Sequence, residues 1–122
     1  MNSEAIKIQQ PLIDIIKDKG NIHTYSVQSD LFYEGQTPIV AYLILEGKIN
    51  LVKGKKVKLI LEKHHLIGVK ELMEHLPSRY GAKIMPNTKV SFLDRSTILE
   101  ILEHKDCDLE TFLNELELEK TS

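Results

Sequence analysis

The sequence predicts a mainly β protein with flanking helices: a double-stranded β-helix, or β-roll, preceded by one helix and followed by two. Three observations predict it. Between residues 31 and 68, Gly35, Gly47 and Gly68 separate short runs rich in Val, Ile, Leu and Tyr, residues that suit a pleated, half-buried surface. Before this stretch, Leu12, Ile13, Ile15 and Ile16 recur at helical spacing between Pro11 and Gly20. After it, apolar residues return at helical spacing from Ile98 onward.

At 122 residues the chain fits one domain, 1–122, with a core that needs no disulfide or metal. The first helix is expected at about 11–19, the roll at about 21–94 and the closing helices at about 96–119. Charge is uneven along the chain. From Met1 to Arg95 there are 14 Lys and Arg against 10 Asp and Glu, and from Ser96 to Ser122 there are 2 against 8. The mildly basic body lacks the strong positive excess of a nucleic-acid binder. The acidic tail fits a solvated helical face or a contact with a basic surface. Cys107 is the only cysteine, which excludes an internal disulfide and points to a reducing compartment. The N-terminus has no signal-peptide pattern, and the longest apolar run, Ile39 to Leu45, is far too short to cross a bilayer. A cytoplasmic location is expected, with no membrane partner.

The elements follow in order. Ala5, Ile6 and Ile8 form an irregular lead-in to the first helix. Ile22 to Val27 reads as an edge-like strand, Gln28, Ser29 and Asp30 as a turn, and Leu31 to Tyr33 as a short strand ended by Glu34-Gly35-Gln36. Val40 to Leu45 is continuously apolar, as expected of a strand covered on both faces. Glu46-Gly47 turns the chain into the strand around Ile49 and Leu51, and Lys53-Gly54-Lys55-Lys56 forms a charged hairpin tip. No aromatic residue interleaves with the lysines, so the stacking platform of a single-strand binder is missing. On the returning strand Val57, Leu59 and Leu61 share one face, with Ile60 on the other. Adjacent His64 and His65 point to opposite faces of a strand and do not share a metal easily, so no metal site is expected. Val69 to Leu76 forms a brief helix ended by Pro77, Pro86-Asn87-Thr88 a turn, and Val90 to Leu93 the last strand. Ser96 is the expected N-cap of the next helix, with Leu99 and Leu102 on its inner face. A second closing helix opens at Asp106 or Asp108 and carries the apolar stripe Leu109, Phe112, Leu113 and Leu116, which packs on the roll or on a second copy.

This order resembles the cyclic-nucleotide-binding domain of catabolite-activator-type regulators and protein kinase A regulatory subunits. The resemblance runs from Tyr25 to Leu102 and rests on F-Y-E-G-Q (Phe32 to Gln36), Y-L-I-L-E-G-K-I (Tyr42 to Ile49) and L-I-G (Leu66 to Gly68). It implies a phosphate-binding cassette opening at Gly68. There a Glu after the Gly would hold the ribose 2′-hydroxyl, and an Arg ten residues later would pair with the cyclic phosphate. Here Val69 stands at the Glu position and Arg79 at the Arg position, followed by Tyr80 and Gly81, with Ala82 one place late. Lys70 and Glu71 are the substitute polar groups.

The expected function is a non-enzymatic regulatory or adaptor module whose cyclic AMP or cyclic GMP binding is weak or lost, with no cofactor. The alternative is a sensor that holds a cyclic nucleotide or another anion through Gly68, Lys70 and Arg79. A cupin-like metalloenzyme shares the roll but lacks convergent ligands. No helix-turn-helix follows the closing helices, so no DNA contact is expected. The expected partner is a second copy, or another protein, at the acidic C-terminal helix.

Overall fold

The computed structural model describes residues 5–7, 14, 16 and 20–104. In chain order these form β1 (Ala5–Lys7), β2 (Asn21–Tyr25), β3 (Ser29–Phe32), β4 (Ala41–Glu46), β5 (Ile49–Lys53), β6 (Lys56–Leu61), β7 (His65–Ile67), α1 (Val69–Glu74), β8 (Gly81–Ile84), β9 (Thr88–Leu93) and α2 (Arg95–His104). The strands make two antiparallel sheets, ordered β1-β7-β4-β9-β2 and β3-β8-β5-β6. The expected mainly β roll is therefore present. Of the predicted helix at about 11–19, only Asp14 and Ile16 are described, both helical. The second closing helix, with Leu109, Phe112, Leu113 and Leu116, lies outside the described residues.

β4 shows why its sequence is apolar without alternation. Tyr42 and Ile44 point into the roll, where they meet Phe32, Ile49, Leu51, Ile67, Ile84 and Val90 between the two sheets. Ala41, Leu43 and Leu45 point the other way, into a second cluster with Val69, Leu72 and Met73 of α1 and Ile98, Ile101 and Leu102 of α2. Both faces of the strand are covered, and each Leu or Ile buried there contributes about 1.5–3 kcal/mol. Gly47, at φ +89°, then turns the chain so tightly that a Cβ would come within 2.7 Å of Thr88 Cα. Thr88 closes this corner: its Oγ1 accepts the Lys48 N–H at 3.0 Å and donates to the Lys48 carbonyl at 3.2 Å.

Several expectations change. Residues 5–7 form a strand paired with β7 rather than an irregular lead-in, because the β7 edge offers ladder partners from Ile67 to His65. Ser29 and Asp30 already belong to β3, held by Ile84 and Lys83 of β8. The cap of α2 is Asp94, not Ser96: Asp94 Oδ1 accepts the Thr97 N–H at 2.8 Å and the Ser96 hydroxyl at 2.9 Å. The helix therefore starts at Arg95, two residues earlier than a Ser96 cap implies, and its buried face is Ile98, Ile101 and Leu102, leaving Leu99 52 % exposed. On β6 only Leu61 is buried, because the strand lies at the sheet edge and its register shifts opposite Leu51 and Val52.

Candidate functional site

The cassette-like segment is built from the end of β7 to the start of β8. Gly68, at φ +85°, lets the chain leave the strand and turn directly into α1, and its carbonyl accepts the Leu72 N–H at 2.9 Å. Val69 is buried at 4 % exposure in the apolar cluster under β4, together with Leu72 and Met73. Lys70 is half-buried, and Glu71 is buried. The helix then ends at His75, at φ +56°, whose N–H and that of Leu76 both reach the Glu71 carbonyl. Arg95, at the head of α2, donates from Nη1 to the carbonyls of Leu72 and Met73 at 3.1 Å each. A cation at the last carbonyls of α1 also opposes the negative end of its dipole. The short helix is thereby fastened to α2.

The second half of the segment is fastened to the first turn of the roll. Ser78 is buried; its N–H donates to the Gln36 carbonyl at 2.9 Å and its carbonyl accepts the Gly35 N–H at 2.8 Å. Its hydroxyl donates to the Tyr80 carbonyl at 2.7 Å. Arg79 is exposed on the bend. Tyr80 is half-buried against the roll interior, with Lys53 Nζ 5.9 Å from its ring centre. Lys53 in turn lies 3.4 Å from Glu34, which accepts the Gly54 N–H at 3.3 Å. Ala82, one residue after Gly81, is fully buried inside the roll.

Inside the roll, Tyr42 packs edge-on against Phe92 at 5.1 Å and stacks with Phe32 at 5.9 Å. Burial, with the nearby Tyr25 hydroxyl, pushes its phenol up to about 12. A groove of about 340 Å³ opens elsewhere, on the outer face of the four-stranded sheet, between Asp30, Tyr33, Glu34, Val52, Gly81 and Lys83. Gly81 provides its floor, since a Cβ there would meet Val52 Cγ2 at 3.2 Å. His65 turns its Nδ1 to the Glu62 carbonyl at 3.0 Å. Among the described residues, no three His, Cys, Asp or Glu side chains gather as a metal site would require.

The structure thus separates the six sequence candidates. Gly68, Val69, Lys70 and Glu71 form the junction and first turn of α1, with Val69 committed to the core, whereas Arg79 is exposed on the bend before β8 and Tyr80 lies under Lys53 of β5. Sequence reasoning missed Ser78, whose place after a Pro in a turn was the usable signal. It also missed Arg95, which no local pattern marks as the partner of α1.

No protein-family model and no curated protein sequence matches this chain. Solved structures do. A chain from work on a cyclic-GMP-dependent signalling pathway that regulates bacterial phytopathogenesis aligns over 90 % of this chain and 91 % of that one, at a TM-score of 0.79 and 15 % identity. The catabolite activator protein of Thermus thermophilus aligns over 81 % of this chain and 49 % of its own, at 0.68 and 17 %. A cyclic nucleotide-binding-like protein from Brucella abortus aligns over 76 % and 84 %, at 0.62 and 22 %. The chain has the cyclic-nucleotide-binding-domain fold. At these identities the likeness establishes the architecture alone. Among the described residues no helix is long and apolar enough to cross a membrane.

Proposed function

We propose that this chain is a cytoplasmic regulatory or adaptor module without catalytic activity, and that it holds cyclic AMP or cyclic GMP weakly or not at all. The observation that carries this reading is Val69. It occupies the position where the resemblance implies a ribose-binding carboxylate, it cannot accept a hydrogen bond, and its side chain is buried in the cluster under β4. A ribose hydroxyl left unmet in a closed pocket costs about 1–3 kcal/mol, or roughly tenfold to a hundredfold in affinity. Isothermal titration with cyclic AMP and cyclic GMP is expected to give little heat. A micromolar or tighter constant that Arg79→Ala abolishes would overturn the reading.

A second reading, the anion sensor, is favoured by the exposure of Arg79 and the half-exposure of Lys70, which place two solvent-accessible cations near the ends of the segment. Such a sensor gains thermal stability from its ligand by mass action, whereas the adaptor does not. A thermal-shift series over nucleotides and sugar phosphates separates the two.

A further inference from the structure

The outer face of the five-stranded sheet is covered by α1 and α2. That of the four-stranded sheet is open: Val57 is 50 % exposed, Ile60 59 %, and Tyr33 beside the sheet 64 %. A sheet face turned to water ordinarily carries polar side chains between the buried ones. Here Ile49, Leu51, Leu61, Ala82 and Ile84 fill the roll, and the register sets the residues between them outward in two rows. One row is Gly81, Val52 and Val57; the other is Asp30, Lys83, Asn50 and Ile60. The first row is apolar throughout and contains a hole, the groove of about 340 Å³ over Gly81 between Tyr33 and Val52. An apolar protrusion at Val57 and Ile60 therefore stands on one side of the face and an apolar recess on the other.

Charge is divided in the same sense. The β6 border carries Lys56 and Lys58, both exposed, with Lys58 the extra residue of the register shift opposite Leu51 and Val52. The β3 border carries Asp30 and Glu34. Glu34 is paired with Lys53 at 3.4 Å, whereas Asp30 accepts the Tyr33 hydroxyl at 3.4 Å and is exposed. A nucleic acid would meet the Asp30 carboxylate and leave Val57 and Ile60 uncovered. A partner of one charge sign would suit one border and oppose the other. A second copy suits both when the sheets lie face to face about a two-fold axis parallel to the strands, because that axis sets β6 of each copy over β3 of the other. An axis across the strands would instead bring lysines to lysines and carboxylates to carboxylates.

We propose that the outer faces of the four-stranded sheets of two copies pack together as a two-fold dimer, with Val57 of each entering the groove over Gly81 of the other and Lys58 of each beside Asp30 of the other. The contact is reciprocal and closed, so it ends at two chains. Four strands spaced by about 4.8 Å make a face roughly 15 Å wide, small for an interface, so the dimer exchanges with monomer and builds up with concentration. The proposal rests on the reading of a module that acts through protein contacts. The two fail separately, because cyclic-nucleotide heat tests one and assembly mass tests the other.

Sedimentation equilibrium on the full chain is expected to give a mass that rises from monomer toward dimer with concentration, and rises less at high salt. Lys58→Glu alone and Asp30→Lys alone should each stay monomeric with unchanged circular dichroism. Mixing these two variants should restore the dimer, because the mixed pair brings opposite charges together at both borders. Val57→Asp should be monomeric alone. A wild-type chain that stays monomeric at its highest soluble concentration overturns the proposal. So does a dimer that persists in the single variants, which would place the contact on another surface, or a mixture of the two folded charge variants that stays monomeric.

Discussion

β4 and β6 are both six residues long and both rich in Leu and Ile, yet β4 is buried at five positions and β6 at one. Position in the sheet makes the difference. β4 lies between β7 and β9 with the roll interior on one face and both described helices on the other, whereas β6 closes a sheet edge. Apolar content alone therefore does not measure how much of the fold rests on a strand. The sharpest test pairs Leu43→Ala with Ile60→Ala. Leu43 is fully buried, so its truncation is expected to lower stability by about 2–5 kcal/mol. Ile60 is 59 % exposed, and its truncation is expected to stay under about 1 kcal/mol. Denaturant unfolding reads both, and equal losses would show that β6 is covered in solution.

The same pair of strands explains what was legible beforehand. The unbroken apolar run in β4 announced two covered faces, and Gly35, Gly47 and Gly68 marked the corners of the roll. On β6 the alternation of Val57, Leu59 and Leu61 suggested one buried face. A register shift with β5 removed that regularity, and a shift of this kind leaves no trace in composition. Lys56 and Lys58 were the better guide, since charges on a strand often mark an edge. The candidate site was legible only in part. Gly68 and the absence of a Glu at position 69 could be read directly. The burial of Val69 beneath β4, and the hold of Arg95 on Leu72 and Met73, arise from elements distant in sequence.

Two glycines carry the comparison to the turns. Gly47 follows β4 and Gly54 forms the β5–β6 tip; both have positive φ, at +89° and +62°. A Cβ on Gly47 would press on Thr88, whereas a Cβ on Gly54 would meet nothing within 4 Å. Gly47→Ala is therefore expected to lower stability by about 2–4 kcal/mol, combining backbone strain with the clash. Gly54→Ala should bring only the backbone term, about 1 kcal/mol. Thermal unfolding of the two variants checks the ranking, and a reversal would mean that the hairpin tip is packed against something.

The smallest expected effect concerns the covering of β4 by α2. Asp94 caps that helix from an exposed position, and removing an N-cap by Asp94→Ala costs about 1 kcal/mol, while Asp94→Asn preserves the acceptor and much of the stability. Proton binding separates the two acceptors. The Thr97 backbone N–H, then the Thr97 and Ser96 side chains, hold the Asp94 carboxyl below its usual value by bonding to its charged form. A depressed value in the folded state gives stability that is complete above the unfolded value, about 3.9, and is lost as pH falls through the folded one. Solvent screening keeps this contribution modest at an exposed group. Unfolding measured from pH 6 down to pH 2 should therefore show the gap between wild type and Asp94→Asn change in the acid range, because only the carboxylate titrates. If α2 shields β4 as the packing indicates, hydrogen exchange in Asp94→Ala should rise in α2 and β4 together while β6 stays unchanged. Faster exchange confined to α2 would mean that β4 keeps its cover without the cap.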